Sequence, residues 1–144
     1  MYLEISARQT GKTTRMINQI YADKHLYDIQ ILMGINQNSL KLIKDKIKGN
    51  SKVKICLSFE SLRKTLSKYN DKKIRLYVDE FLYSTAFVNN YNKIKETYEC
   101  KFTLIENGYF SSSINSNAMM VLFDMQLTNN DLLYSMHSTL DRPL

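Results

Sequence analysis

The sequence predicts an α/β fold in which a mainly parallel sheet of about five or six strands carries helices on both faces. Two observations lead to this prediction. Short apolar runs that favour strands alternate along the chain with segments that repeat apolar residues at helical spacing. The composition is that of a folded protein, with 44% hydrophobic and 24% charged residues, four glycines and one proline. We expect residues 1–144 to form a single domain, because this length suits one hydrophobic core.

In chain order, the first predicted unit is a strand followed by a helix. Residues 2–5 (YLEI) are a short strand-like run that leads into a Gly-Lys-Thr turn. A helix is predicted over residues 12–23, because Met16, Ile17 and Ile20 fall on one of its faces. This unit therefore places the turn between a strand and a helix.

The next two units repeat this pattern. Residues 29–33 (IQILM) predict a second strand, and residues 38–48 predict an amphipathic helix that Asn38 or Ser39 could cap. Residues 53–57 (VKICL) predict a third strand, before a short helix over residues 60–68. The apolar stripe of the 38–48 helix consists of Leu40, Ile43 and Ile47, with Leu42 at its edge.

The second half of the chain continues the alternation. Residues 74–80 (IRLYVDE) are a mostly apolar strand that ends in two carboxylates. A helix is predicted over residues 84–98, followed by strands over residues 102–106 and 118–123. A closing helix is predicted near residues 129–138.

Residues 6–15 (SARQTGKTTR) nearly match G-x-x-x-x-G-K-[ST], the pattern of loops whose backbone N–H groups wrap the phosphates of a nucleotide. Gly11 lies where the backbone must approach the phosphates, Lys12 can neutralise their β and γ oxygens, and the Thr13 hydroxyl can bind Mg²⁺. Ser6 stands where glycine is usual, and a small residue can serve there if its φ stays within the range of L-residues. The predicted nucleotide-binding residues are Ser6, Arg8, Gln9, Thr10, Gly11, Lys12, Thr13 and Thr14.

The strand ending at Asp79 predicts the second half of this site. The carboxyl ends of parallel strands meet at one edge of a sheet, so Asp79 is expected near the loop. There Asp79 would share the Mg²⁺ shell with Thr13, while Glu80 could polarise an attacking water. Either acid could instead favour the start of a helix through the macrodipole, but that role does not explain why both end an apolar strand. Together the two motifs predict a site for Mg²⁺ and a nucleotide.

These motifs resemble those of the large terminases, the ATPases of bacteriophage DNA-packaging motors. The loop ARQTGKTT is similar to the Arg-Gln-x-Gly-Lys-Ser/Thr loops of that family, which often lack the first glycine. The run LYVDE at residues 76–80 is similar to the family's second motif. The resemblance implies a RecA-like P-loop NTPase with an added strand between the two motif strands, and ATP and Mg²⁺ as cofactors.

The resemblance also implies a role for each matching residue. Lys12 and Thr13 would bind phosphate and Mg²⁺, and Asp79 would belong to the metal shell. Glu80 would be the catalytic base, and Arg8 would act in triphosphate hydrolysis or in coupling it to motion. The catalytic residues are therefore expected to be Glu80, Lys12 and Arg8.

The sequence departs from that family in two respects. A chain of 144 residues leaves no space for the nuclease domain that follows the ATPase in terminases. The family's coupling motif, a hydroxyl-rich strand end, has no clean counterpart, and the candidates are Asn107 and residues 111–113 (SSS) after the predicted 102–106 strand. Asn107 could sense the γ-phosphate, or it could form a simple Asn-Gly turn with Gly108.

Basic residues are concentrated in one part of the chain. Residues 41–75 hold twelve Lys and Arg against three Asp and Glu, while the whole chain has a net charge of +6. Such a region can bind a polyanion, which in the terminase-like interpretation is double-stranded DNA, or it can be a lysine-rich solvated face. The same interpretation allows a homo-oligomeric ring in which a neighbouring subunit supplies an arginine.

Other features of the sequence favour a cytoplasmic protein, in the host cytoplasm if the chain is viral. No apolar run approaches the ~18 residues of a membrane helix, and the N-terminus does not read as a secretory signal. The two cysteines, Cys56 and Cys100, fit no disulfide or metal-ligand spacing, and buried reduced thiols suit a reducing compartment.

Three functions are consistent with these motifs. ATP hydrolysis coupled to nucleic-acid handling is the leading hypothesis. The second is a small-molecule phosphotransferase such as a nucleoside kinase, although Cys56 and Cys100 cannot supply the four zinc ligands of the zinc-bearing thymidine kinases. The third is a nucleotide-gated regulatory binding protein. No guanine-reading Asn-Lys-x-Asp motif is present, and the sequence does not distinguish ATP from GTP.

Overall fold

Five strands and five helices form the described part of the chain, residues 2–7, 11–35, 37–47, 52–97 and 104–113 of a computed structural model. The strands are β1 (Tyr2–Ile5), β2 (Ile29–Met33), β3 (Val53–Cys56), β4 (Ile74–Asp79) and β5 (Tyr109–Ser112). The helices are α1 (Lys12–Ala22), α2 (Gln37–Lys46), α3 (Phe59–Lys68), α4 (Thr85–Val88) and α5 (Tyr91–Thr97).

All five strands belong to one sheet, in the order β1-β5-β4-β2-β3, and every neighbouring pair is parallel. Strand β5 lies between β1, which leads into the Gly-Lys-Thr turn, and β4, which ends at Asp79. This is the added strand expected between the two motif strands of a RecA-like fold, so the predicted fold class is confirmed. The carboxyl ends of β1, β5 and β4 therefore meet at one edge of the sheet.

The helices cover both faces of the sheet. Helices α1 and α2 bury their apolar stripes on one face, and α3, α4 and α5 pack on the other. From β1 the chain passes through α1 to β2 and through α2 to β3, moving in one direction across the sheet. It then moves in the opposite direction, through α3 to β4 and through α4 and α5 to β5. Because connections between parallel strands are right-handed, this reversal places the later helices on the other face. The core of the first face contains Met16, Ile17, Ile20, Leu32, Leu40, Ile43, Ile47, Tyr77 and Tyr109.

Two predicted elements differ from the structure. The predicted strand over residues 102–106 is wrong, because residues 104–107 form a turn and the strand is Tyr109–Ser112. Leu104 and Ile105 are buried, but as part of the core under α4 and α5 rather than in the sheet. The predicted helix over 84–98 is split into α4 and α5 near Asn90, whose side-chain amide donates to the Ala86 carbonyl and so competes with the helix backbone. The predicted 118–123 strand and 129–138 helix lie outside the described residues.

A buried polar network ties the end of α1 to the amino-terminal edge of the sheet. Arg75 Nη1 lies 2.5 Å from Asp23 Oδ2, and the Tyr77 hydroxyl donates to the same oxygen at 2.6 Å. Gln30 Nε2 donates to Tyr77 Oη and to the Ile20 carbonyl, both at 2.9 Å. Burial first, and then this hydrogen bond to Asp23, raise the pKa of Tyr77. The network fixes the carboxyl-terminal end of α1 against β4.

Candidate nucleotide-binding site

Gly11 begins α1 in a conformation that favours glycine. Its φ of 84° and ψ of 16° are left-handed, and it occupies the N-cap position of the helix. A Cβ at this residue would lie 3.1 Å from Arg15 Nη1. Arg15 is held in place because its guanidinium pairs with the buried Glu4 carboxylate of β1, at 2.5 Å for Nη2–Oε1. The left-handed backbone therefore favours glycine here, and a side chain would in addition require Arg15 to shift by a few tenths of an ångström.

Sequence reasoning missed the Glu4–Arg15 ion pair, although a signal for it was present. Glu4 lies inside a short apolar strand, where a carboxylate that is 2% exposed needs a charged partner. Arg15, one turn into the following helix, is close enough to supply it. The pair joins β1 to α1 directly behind the loop.

Lys12 reaches back across the loop that precedes it. Its side chain is buried, and its Nζ donates to the Ala7 carbonyl at 2.9 Å. The same Nζ lies 3.8 Å from Glu80 Oε1 at the end of β4. Residues 12 and 80, 68 positions apart in the sequence, are thus brought together as the motifs predicted.

The serine at the position of the first glycine is accommodated without strain. Ser6 is fully buried at the end of β1, and its N–H donates to the Ser112 carbonyl of β5 at 3.1 Å. Among the non-glycine residues that the structure describes, Glu80 is the one with a positive φ, so Ser6 has an ordinary backbone conformation. Its backbone N–H is used by the sheet, and a contact between Ser6 and a nucleotide stays a prediction.

The other predicted loop residues divide into two groups. Thr13 and Thr14 lie in the first turn of α1, Thr13 half-buried and Thr14 exposed, where backbone N–H groups point away from the helix. Arg8, Gln9 and Thr10 lie outside the described residues.

Asp79 ends β4 as a buried carboxylate. It is 7% exposed, and its Oδ1 has no hydrogen-bond partner among the described residues. Burial first, and then the charge of Glu80, raise the pKa of Asp79 to about 6, while Lys12 and the Glu80 backbone N–H oppose this rise. A buried carboxylate oxygen with no partner is suited to a cation, because a positive charge would replace the missing hydrogen bond and stabilise the ionised form.

Glu80 turns away from Asp79 because its own backbone is left-handed, with φ 53°. The Phe81 N–H then bonds to the Ser111 carbonyl of β5 at 3.2 Å. Most β-carbon-bearing residues avoid this region, at a cost of about 1–2 kcal/mol. The strained turn sends the Glu80 side chain toward the end of β5.

The end of β5 holds the Glu80 carboxylate. The Ser113 N–H donates to Oε2 at 3.1 Å, and the Ser113 hydroxyl donates to Oε1 at 3.2 Å. The Ser112 hydroxyl lies 3.4 Å from Oε2 but 2.8 Å from the Ser113 carbonyl, and its single proton favours the shorter contact. Ser113 is therefore the main partner of Glu80 on this strand.

Of the two interpretations of Asn107, the structure agrees with the turn that ends at Gly108 and not with the phosphate sensor. Asn107 precedes β5 and its carbonyl accepts from Arg75 Nε at 2.9 Å, at the amino-terminal edge of the sheet. Lys12 and Glu80 lie at the opposite edge, so Asn107 does not sense a phosphate bound near them. The hydroxyl-rich strand end is Ser111–Ser113, which comprises the last two residues of β5 and the residue after it. The strand predicted over residues 102–106 was several residues too early.

The donor set fits Mg²⁺ bound together with a nucleotide. Within the described ranges, no three His, Cys, Asp or Glu side chains are grouped to hold a metal by themselves. Magnesium in phosphate-transfer sites commonly takes one or two protein oxygens and completes its shell with phosphate and water. Thr13 at the start of α1 supplies one oxygen for such a set, and the unpartnered Asp79 Oδ1 can contact the metal's shell beside it.

The basic 41–75 region is divided among several environments. Lys41 and Lys44 line a groove of about 690 Å³ beside α2, whose apolar lining comes from Leu40, Ile55 and Leu57. Asp45 also lines this groove. Two other cations of the region have acidic partners, since Arg75 pairs with the buried Asp23 and Arg63 pairs with the exposed Glu60. Lys41 and Lys44 are thus the two lysines of the region that line this groove.

No protein-family model matches the sequence, and no curated protein resembles it at a significant level. In the described part of the chain, no helix has the length and apolar character needed to cross a membrane. Cys56 is buried with a free thiol, as expected, and Cys100 lies outside the described residues.

Proposed function

We propose that this protein is a Mg²⁺-dependent P-loop ATPase that acts on nucleic acid, with a terminase-like DNA-packaging motor as the nearest type. One observation carries the proposal. The Lys12 amine lies 3.8 Å from Glu80, beside the buried Asp79 carboxylate, although the two motifs lie on strands separated by β5. A phosphate-binding amine, a metal-binding acid and a second acid that can act on water are the groups that triphosphate hydrolysis requires.

Each residue of the proposed site has a separate role in ATP hydrolysis. The left-handed Gly11 and the N-terminus of α1 direct backbone N–H groups at the phosphates, and Lys12 neutralises their charge. Thr13 and Asp79 would hold Mg²⁺, which supplies charge neutralisation for the β- and γ-phosphates when it is bound. Glu80 would orient and deprotonate the attacking water, and Arg8 would assist at the phosphates as the terminase resemblance implies.

The contacts of the Lys12 amine must change when a nucleotide binds. In the structure its amine is shared between the Ala7 carbonyl and Glu80. A triphosphate would draw the amine toward its own oxygens, because it carries more negative charge than either partner. Glu80 would then lose one cation but keep its two hydrogen bonds to Ser113, which leaves it positioned and free to accept a proton.

Phosphate release from ATP tests this function directly. We expect Mg²⁺-dependent release that Glu80→Gln lowers by about 10²-fold or more, with ATP binding retained, because the amide keeps the size of the side chain but not its basicity. Glu60→Gln is the matched control, since Glu60 is an exposed glutamate of α3. Release that is absent from the wild type, or equal in wild type and Glu80→Gln, would contradict the proposal.

The same assay separates the alternative functions. Measurements at several protein concentrations, with and without duplex DNA, would reveal stimulation by DNA or by self-association. Phosphate transfer to thymidine without hydrolysis would instead favour a nucleoside kinase. Tight ATP binding with no turnover at any concentration would favour a regulatory binding protein.

We assign the nucleic-acid contact to the groove beside α2. Lys41 and Lys44 line it, and each phosphate contact should contribute about 0.9 to the slope of log affinity against log salt concentration. Replacing both with alanine should lower the slope for duplex DNA by about two. Replacing Lys64 and Lys68 of α3, which lie in the same basic region but do not line the groove, is the matched control. Equal losses in both pairs would indicate a diffuse charge effect, and salt-independent binding would exclude a phosphate contact.

A further inference from the structure

Ser111 and Asp79 occupy matching positions on neighbouring strands. They are paired in the parallel register of β4 and β5. Two residues earlier in each strand, Tyr77 and Tyr109 pack in the core under α1 and α2. Because side chains alternate along a strand, Asp79 and Ser111 point to this same side of the sheet, the side on which α1 carries Lys12 and Thr13.

Both side chains contain a buried oxygen with no hydrogen-bond partner. Across the residues that the structure describes, three buried side-chain polar atoms lack a partner, and two of them are Asp79 Oδ1 and Ser111 Oγ. Leaving such an atom unpaired costs about 1–3 kcal/mol. A serine hydroxyl beside a carboxylate would ordinarily donate to it, and here it does not. Two unpartnered oxygens on residues that are paired in neighbouring strands, with side chains on the same side, suit a third group that satisfies both.

We propose that Ser111 is part of the metal site, a positioning residue whose hydroxyl and Asp79 Oδ1 together hold water of the Mg²⁺ shell. Mg²⁺ keeps several of its waters when it binds to proteins, and a metal-bound water has two protons to donate. Asp79 Oδ1 and Ser111 Oγ can each accept one of them. This inference rests on the proposed nucleotide site and adds to it a residue that no sequence motif assigns to the metal.

Ser111 and Ser113 therefore have different roles at this strand end. Ser111 faces α1 and the metal side, whereas Ser113 donates twice to Glu80. Ser111→Ala should change how the protein responds to Mg²⁺, and Ser113→Ala should change turnover through Glu80. The neighbouring positions supply matched variants, because each removes one hydroxyl from the same short segment.

The experiment is a Mg²⁺ titration of nucleotide binding, with a fluorescent, non-hydrolysable ATP analogue and with EDTA for the metal-free arm. We expect wild-type protein to bind the analogue more tightly as Mg²⁺ is added. In Ser111→Ala the Mg²⁺ concentration at half-effect should rise about 10-fold, the low end of the effects seen when a residue that orients metal ligands is removed. Affinity in EDTA should stay unchanged, and Ser113→Ala should keep the wild-type Mg²⁺ response.

Two further measurements distinguish an effect of Ser111 on the metal site from an effect on folding. Urea unfolding without metal should show no loss of stability in Ser111→Ala, because the hydroxyl makes no hydrogen bond that could be lost. Ser111→Cys, nearly the same size with a weak hydrogen-bonding group, should reproduce the shifted Mg²⁺ response if alanine disturbs the fold. A wild-type Mg²⁺ response in a folded Ser111 variant would overturn this inference alone, whereas no nucleotide binding by wild-type protein would overturn the proposed function as well.

Discussion

Replacing Asp79 with asparagine should stabilise the metal-free protein while removing its response to Mg²⁺. Asparagine has nearly the same shape and can still accept the hydrogen bond from the Glu80 backbone N–H. It carries no charge, so the cost of burying an ionised carboxylate next to Glu80 disappears. The pKa of Asp79 rises from 3.8 to about 6 on folding, which at 1.36 kcal/mol per pH unit corresponds to about 3 kcal/mol.

The sign of the pH dependence follows from proton binding. Between about pH 4 and 6 the folded state holds a proton on Asp79 that the unfolded state has released. The stability of the wild-type protein therefore falls as pH rises through this window, and this contribution is fully present only below it. Asp79→Asn lacks the effect, so the difference in unfolding free energy between variant and wild type should grow from near zero at about pH 4 to about 3 kcal/mol above about pH 7.

Urea unfolding in EDTA at a series of pH values measures this difference. The carboxylates distant from residue 79 are the same in both proteins, so subtraction isolates Asp79 together with its coupled neighbour Glu80. The expected maximum corresponds to a rise in melting temperature of about 6–12 °C for a chain of this size. Asp71→Asn, an exposed carboxylate before β4, should show no such difference.

When Mg²⁺ and an ATP analogue are present, the wild-type protein should become more stable than Asp79→Asn. Wild-type protein should gain stability from Mg²⁺ with an ATP analogue, since a ligand that binds only the folded state stabilises it. Asp79→Asn should gain little from adding the metal. If the variant is less stable than wild type at neutral pH without metal, or if the difference does not depend on pH, the reasoning about this carboxylate is refuted.

Three further substitutions test other contacts. Lys12→Ala should lower ATP turnover by about 10²-fold or more through lost charge stabilisation, measured as phosphate release. Gly11→Ala should cost about 1–2 kcal/mol in urea unfolding and weaken nucleotide binding, because alanine at a φ of 84° is strained and its Cβ lies close to Arg15. Tyr77→Phe should cost about 1–3 kcal/mol without changing the nucleotide site, because it removes the hydroxyl that donates to the buried Asp23.

Each of these substitutions has a matched control. Lys68→Ala and Asn18→Ala change exposed residues of α3 and α1 and should leave turnover and stability near wild type. Tyr27→Phe removes a tyrosine hydroxyl from a half-buried ring that faces Lys73 and Arg75, and it should cost much less than Tyr77→Phe. Normal turnover in Lys12→Ala, full stability in Gly11→Ala, or equal costs for the two tyrosines would contradict the respective interpretation.

Much of the fold could be predicted because local pattern and burial agree. β2 was found from an apolar run, and it is buried at every position because helices cover both faces of the sheet. β5 was missed because half of it is serine, and the apolar Leu104 and Ile105 nearby gave a stronger strand signal. The strand end contacts Glu80 of the candidate site through Ser113, and such a long-range contact is not contained in any local pattern.

The residues of the candidate site that belong to sequence motifs could be predicted. Gly11, Lys12 and Asp79 each follow from a local pattern joined to the rule that parallel strands end at one edge. The partner of Glu80 could not be found in this way. Ser113 contacts it only because β5 lies between the two motif strands and because Glu80 adopts a left-handed backbone.

The left-handed backbone of Glu80 explains how two consecutive acids can serve two purposes. Successive side chains of a strand point to opposite faces, and continuing β4 through Glu80 would have put its carboxylate on the side away from α1. The turn at φ 53° leaves Asp79 buried on the α1 side and brings Glu80 within reach of both Lys12 and Ser113. Strain of this kind persists only where surrounding contacts compensate for it, and here an ion pair and two hydrogen bonds do so. A residue that leaves the regular strand conformation to make such contacts is expected at a functional position. This agrees with the role proposed for Glu80, which is to act on the attacking water.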